Sequence, residues 1–225
     1  MRSNRLKTWV FSQDLTQKAL RSLWHFRSHY FDWRHGVETA AKTSFNHLKI
    51  DSSNAQYGGG LYEAVGIKAA RNALRLDIDH RKYAFVDFGS GKGRVLLLAS
   101  EYPYRRIIGV EFAEELHQAA LRNIRKYRSR HRRCSAIESI HADAAEFQIP
   151  ATPLVLHFFN PFGPPVMSRV LANIQASLEK LPRDAIFIYH TPRHVQLFER
   201  LPNVRLLTDG PWLKVYRMPG PTEAG

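Results

Sequence analysis

The segment Phe85-Val86-Asp87-Phe88-Gly89-Ser90-Gly91-Lys92-Gly93-Arg94 runs from an apolar strand through a glycine-rich turn into an almost wholly apolar stretch. Glycine lets the backbone turn sharply and lets a ligand approach where a Cβ would otherwise stand. The unpaired N–H groups at the start of the following helix favour an anionic group. A strand, turn and helix of this kind binds a dinucleotide or another nucleoside-containing cofactor. Spacing separates the two. The dinucleotide fingerprint is Gly-x-Gly-x-x-Gly, whereas here the third glycine comes one position early, as Gly89-x-Gly91-x-Gly93. Asp87 stands just ahead of the first glycine, where a carboxylate suits a cofactor carrying positive charge and would repel a pyrophosphate.

Glu111 ends the next apolar run, Ile107-Ile108-Gly109-Val110-Glu111, with Phe112 after it. A carboxylate there can accept two hydrogen bonds from ribose hydroxyls. Asp143, in Ile140-His141-Ala142-Asp143-Ala144, follows the third strand and is placed to accept from an adenine amine. These acids follow successive strands and so describe one rim of one crevice. The fourth apolar strand ends in Phe158-Phe159-Asn160-Pro161-Phe162-Gly163. The Asn160 oxygen can accept from a substrate amine, and Phe159 or Phe162 can face a cation. The alternative is that Asn160-Pro161 only begins a turn. His190 ends the fifth strand as either a general base or a wall residue.

The elements that must position these residues are legible as alternating apolar and amphipathic runs. Strands are expected at Tyr83–Phe88, Arg106–Glu111, Ala136–His141, Leu154–Phe159, Ala185–Tyr189, Val204–Thr208 and Leu213–Arg217. Helices fit Gly91–Glu101, Ala113–Arg128 and Pro165–Leu181, which argues for right-handed crossovers and a mostly parallel sheet. Asp209-Gly210-Pro211 leaves no room for a helix between the last two strands, so a hairpin should reverse the final one. Upstream, Leu15, Ala19, Leu23, Phe26 and Tyr30 share one helical face, with Lys18, Arg21 and Arg27 elsewhere. Packing on the main domain as a lid or buttress is favoured for it over contact with lipid, nucleic acid or a partner. Leu61–Leu76 reads as a further helix. Residues 1–56 are therefore expected to form a helical extension and residues 57–225 the cofactor-binding domain.

Taken in order, Asp87-x-Gly89-x-Gly91-x-Gly93, Glu111, Asp143 and Asn160-Pro161-Phe162 resemble the motifs of class I S-adenosylmethionine-dependent methyltransferases over roughly residues 57–217. The resemblance implies an α/β, Rossmann-like, doubly wound seven-stranded sheet with an antiparallel last strand. It implies S-adenosyl-L-methionine as cofactor, held by Asp87, Phe88, Gly89, Ser90, Gly91, Gly93, Glu111, Phe112, Asp143, Ala144 and Asn160. Tyr57, before Gly58-Gly59-Gly60, resembles an aromatic that closes over the cofactor in relatives. It implies an enzyme that transfers a methyl group, with Asn160, Phe162 and His190 as candidate catalytic residues. Amine-directed members commonly carry Asn/Asp-Pro-Pro-aromatic at the fourth strand; this chain is one proline short. The non-SET lysine methyltransferases are a looser similarity, and Phe31-Asp32-Trp33-Arg34-His35-Gly36-Val37-Glu38-Thr39 resembles small bacterial members.

Composition bounds the partners. At 225 residues, 44% hydrophobic and 24% charged, the chain is long enough for one α/β domain. Its single cysteine, Cys134, excludes an internal disulfide and reads as a small buried residue. No apolar stretch reaches the roughly 20 residues of a membrane span, and the apolar run at Trp9–Phe11 is too short for a signal core, so a cytoplasmic location is expected. The histidines show no metal-ligand spacing, and no metal is expected. A net charge of +13 favours polyanions without selecting one. The basic run from Arg125 to Arg133 follows a helix C-terminus, on the edge opposite the strand ends that build a ligand site. It reads as a solvated loop that can still grip a long polyanion. The acceptor is expected to be a small molecule first, then an amine such as a protein lysine, then nucleic acid. A nicotinamide oxidoreductase and a non-catalytic nucleic-acid-binding module are the rival classes.

Overall fold

The computed structural model describes residues 22–40, 43–44 and 61–221. Tyr57, Leu15 and Ala19 lie outside the described residues. All seven expected strands form, within a residue or two of their expected ends. They are β3 (Ala84–Phe88), β4 (Arg106–Glu111), β5 (Ile137–His141), β6 (Leu154–Phe159), β7 (Ala185–His190), β8 (Arg205–Asp209) and β9 (Leu213–Met218), counted after β1 (Thr43–Ser44) and β2 (Leu61–Tyr62), which pair as a separate two-stranded ladder. The sheet order is β5-β4-β3-β6-β7-β9-β8. Pairings among β5, β4, β3, β6 and β7 are parallel, and β9 runs antiparallel to both β7 and β8. The last strand is therefore the reversed one, its hairpin closed by Gly210 N–H donating to the Leu213 carbonyl at 3.0 Å.

Helices cover both faces, which is why β3 is buried along its whole length and reads as a continuous apolar run. On one face α5 (Pro164–Lys180) and α6 (Val195–Glu199) pack on Val86, Phe88, Ile108, Phe158 and Phe187. On the other, α1 (residues 22–35), α2 (Ile67–Ala73), α3 (Arg94–Ala99) and α4 (Glu114–Lys126) pack on Phe85, Ile107, Val155 and Ile186. Among the described residues no helix is long and apolar enough to cross a membrane. Cys134 is buried, as its small size suggests.

Three expectations need correction. The helix expected from Gly91 starts at Arg94, because Gly91 and Gly93 adopt positive φ (54° and 82°) that a right-handed helix cannot include. The helix expected over Leu61–Leu76 is confined to Ile67–Ala73: Leu61 and Tyr62 are taken by the ladder with β1, and Gly66 caps the helix in extended conformation. The third concerns α1. The apolar residues Leu23, Phe26 and Tyr30 are exposed (45%, 67% and 53%), while Ser28, Phe31 and Asp32 are buried. Polar anchoring selected the face. Fully buried Arg94 donates to Ser28 Oγ (3.1 Å), Thr39 Oγ1 (2.8 Å) and the Val65 carbonyl (3.1 Å). Asp32 in turn accepts from Thr39 N–H, Thr39 Oγ1 and Ala40 N–H at 2.6–2.7 Å. A buried guanidinium left without such acceptors would cost more than exposing two aromatic rings.

Candidate active site

The parallel strands β5, β4, β3, β6 and β7 all end at one edge of the sheet, and the candidate residues collect there. The glycine turn leaves β3 and curls back on β4, with Gly89 and Ser90 N–H both donating to the Val110 carbonyl (2.9 and 3.1 Å). Gly89 has φ +72°, and a Cβ added there would stand 2.6 Å from the Pro161 Cβ. The Asn160-Pro161 turn is thus pressed onto the loop at a point where only glycine fits. Gly93 caps α3 in left-handed conformation. Ser90 Oγ, buried in the loop, has no hydrogen-bond partner among the described residues.

Glu111 is 3% exposed at the end of β4. Its Oε2 accepts from Gly91 N–H (2.7 Å) and its Oε1 from Ala113 N–H (3.0 Å). One carboxylate thereby fixes the glycine turn to the start of α4, and with Phe112 N–H as a third donor it keeps one of its four acceptor positions for a ligand. Burial pushes its carboxyl up to about 7, against the lowering pull of the Ala113 and Gly91 donors. Asp143, half-buried beyond β5, turns its own loop by accepting from Ala145 N–H at 2.9 Å. Phe112 is half-buried with its carbonyl 2.9 Å from His141 Nε2, and Ala144 is buried.

Asp87 does not stand open on the rim. It is 3% exposed, on the same sheet face as His157, and its Oδ1 lies 2.7 Å from His157 Nδ1. β3 and β6 pair in register, so Asp87 is opposite His157. The His157 ring stands 5.2 Å from the ring of His190, which is also buried. Burial first, and the neighbouring His157 second, hold the His190 imidazole down to about 3. It is a neutral ring in the floor of the strand ends, a poor general base at neutral pH. Phe88 and Phe162 also point away from the rim, into the core under α5. Phe159, half-buried, is the aromatic left at the strand end.

Asn160 has φ +44° and Thr191, at the end of the adjacent β7, has φ +48°. Asparagine tolerates this region, whereas it strains a β-branched threonine. Tyr189 stitches the two turns together: its hydroxyl lies 3.5 Å from Asn160 Oδ1 and accepts from the N–H groups of Arg193 (3.3 Å) and His194 (3.2 Å). Behind the glycine turn, Asn123 Nδ2 donates to the Lys92 and Glu38 carbonyls, and Lys92 Nζ pairs with Glu38 at 2.9 Å.

Sequence spacing gave no role to His157, Asp32, Arg94 or Asn123. The available signal was a polar residue inside an apolar run: His157 within Leu154–Phe158, and Arg94 opening Val95–Ala99.

No family model matches the chain, and no curated protein matches it. Solved structures do. An RNA methyltransferase from Salinibacter ruber, in complex with S-adenosyl-L-homocysteine, is similar over 72% of this chain and 96% of its own, with 22% identity and a TM-score of 0.50. The 23S rRNA methyltransferase ErmE matches over 71% of this chain and 70% of its own, with 11% identity and a TM-score of 0.50. A NADB-Rossmann superfamily protein from Streptococcus agalactiae matches over 70% and 69%, with 14% identity and a TM-score of 0.50. The chain has the Rossmann-like fold of these proteins.

Proposed function

We propose that the protein transfers the methyl group of S-adenosylmethionine to a nitrogen or oxygen acceptor presented at Asn160. The observation that carries this reading is the joint between Glu111 and the glycine turn. One buried carboxylate, fixed by Gly91 and Ala113 N–H, leaves acceptor capacity at the strand end where a ribose would lie. Ser90 Oγ, buried without a partner among the described residues, adds a polar atom to the same turn. Asp143 supplies the acceptor for the adenine amine. The crystallised complex of the structurally similar Salinibacter enzyme with S-adenosyl-L-homocysteine supports the same cofactor here.

When bound, the cofactor supplies a methyl group already activated by its sulfonium. The chain's own residues then align and shield. Asn160, neutral and tied to Tyr189, orients the acceptor by hydrogen bonding, and Phe159 excludes water beside it. Phe162 and His190 support the turn and the strand end from beneath. A small molecule or an amine-bearing acceptor fits a neutral amide best. Transfer to nucleic acid is a second reading, favoured by a basic surface described below.

Calorimetry should show S-adenosylmethionine and its demethylated product binding and NAD failing to bind. Asp143→Ala should weaken both adenosyl ligands, which carry the same base. For the acceptor step, Asn160→Gly removes the side chain while accepting the positive φ. With an acceptor found by labelled-methyl transfer to lysate fractions, turnover should fall about 100-fold at nearly constant cofactor affinity. Wild-type turnover in Asn160→Gly would make the segment an ordinary turn.

A further inference from the structure

A second concave surface lies at the carboxyl end of α4, whereas Glu111 lies at its amino end. Two cavities merge there. One, of about 520 Å³, is lined by Arg34, His35, Arg71, Arg128, Arg130 and His131. The other, of about 550 Å³, shares Arg34, His35 and Arg71 and adds Phe26, Arg27, Tyr30, Lys68 and Arg75. Among the described residues no carboxylate lines either one. The walls are built rather than loose: His35 Nδ1 lies 2.8 Å from the Arg128 carbonyl, and Glu101 holds Arg71 through two bonds of 3.2 and 2.6 Å.

The rim of this groove is aromatic. Phe26, Tyr30 and Trp33 follow one another along α1 at 67%, 53% and 76% exposure. The rings of Phe26 and Tyr30 are 6.3 Å apart and within 18° of parallel, and Tyr30 and Trp33 are 5.8 Å apart. Cationic floors that track phosphates, edged by exposed rings on which bases stack, are how single-stranded nucleic acids are held without sequence reading. We propose that this groove binds a single strand of RNA, its phosphates against the arginines and its bases on the α1 rings.

A duplex would keep its bases paired and leave the rings unused. A bilayer would need the rings on a convex face with cations around them, whereas here the arginines line a concavity. The sequence reading of the Arg125–Arg133 run as a solvated loop changes accordingly: Arg128 and Arg130 are one wall, and α1 and α2 bring the other. The groove lies at the carboxyl end of α4, whose length of about 20 Å separates it from Glu111 at the amino end. It is therefore a docking surface and stands independently of the methyl-transfer reading.

The test is fluorescence anisotropy of a labelled oligouridylate of roughly 16 nucleotides. Arg34→Ser, Arg75→Ser and Arg130→Ser together should flatten the logarithmic salt slope by about 2, since each phosphate contact on a single strand contributes about 0.7. Phe26→Ala with Tyr30→Ala should weaken binding by roughly tenfold or more at an unchanged slope. Affinity for S-adenosylhomocysteine should stay at the wild-type value in both variants, separating loss of the groove from loss of the fold. Photocrosslinking of 4-thiouridine-substituted RNA to the unmodified protein should label the α1 peptide. Binding that both variants leave intact, crosslinks elsewhere, or rings needed for phosphatidylserine vesicles and not for RNA would each overturn the proposal.

Discussion

Glu111 is a buried acid held by backbone donors, and that makes its proton a reporter of ligand binding. Its folded-state value, up to about 7, lies above the ordinary 4.5. The folded chain therefore keeps the proton longer than the unfolded chain does. This contribution to stability is complete below about pH 4.5 and is lost as pH rises through about 7, on the order of 3 kcal/mol. Ribose hydroxyls donate best to the ionised carboxylate, so binding must expel the proton on the acid side of about 7. Affinity for S-adenosylhomocysteine should rise by up to tenfold per pH unit from about pH 6 and level off near pH 8. Calorimetry in two buffers of different ionisation enthalpy reads the released proton directly. Glu111→Gln should bind more weakly and lose the pH dependence; a wild-type affinity that is flat across this range would falsify the role.

At the scale of elements, the turn after β6 and the turn after β3 form one unit because Gly89 and Pro161 touch. Gly89→Ala combines a left-handed backbone cost of about 1–2 kcal/mol with a clash against Pro161. The variant should lose about 2–4 kcal/mol in urea denaturation and cofactor affinity with it, whereas Gly210→Ala, in the distant β8–β9 hairpin, should leave cofactor affinity intact. The strands themselves were legible because a sheet covered on both faces imposes short apolar runs, and because Asp209-Gly210-Pro211 admits only a hairpin. The glycine turn and the acids at strand ends were legible for the same reason: they interrupt those runs. The α1 face was not. Periodicity counts apolar residues, and α1 docks through Phe31, Ser28 and Asp32, the last two bonded to Arg94 and Thr39 beyond the helix. Likewise the pairing of Asp87 with His157 follows from the parallel register of β3 and β6, which spacing along the chain does not show.

For the whole molecule, the buried set Asp32, Thr39 and Arg94 fastens residues 22–40 to the face of the sheet that carries α3 and α4. Removing one member of such a set leaves buried polar groups without partners, which typically costs about 3–5 kcal/mol. Asp32→Ala should lower the unfolding free energy read from urea denaturation by that amount and open residues 22–40 to limited proteolysis. Asp32→Asn, which can still accept from Thr39 N–H, should lie between the two. The span of these bonds has a consequence in time. Thr39 and Arg94 are 55 positions apart, Glu38 and Asn123 are 85, and His35 and Arg128 are 93. On the ribosome, the segment that emerges earlier must wait for α3 and α4 before its partners exist, while Phe31 and Val37 stay uncovered. Contacts of such long sequence separation slow folding, so the earliest of the described residues to be synthesised are among the last to find their place.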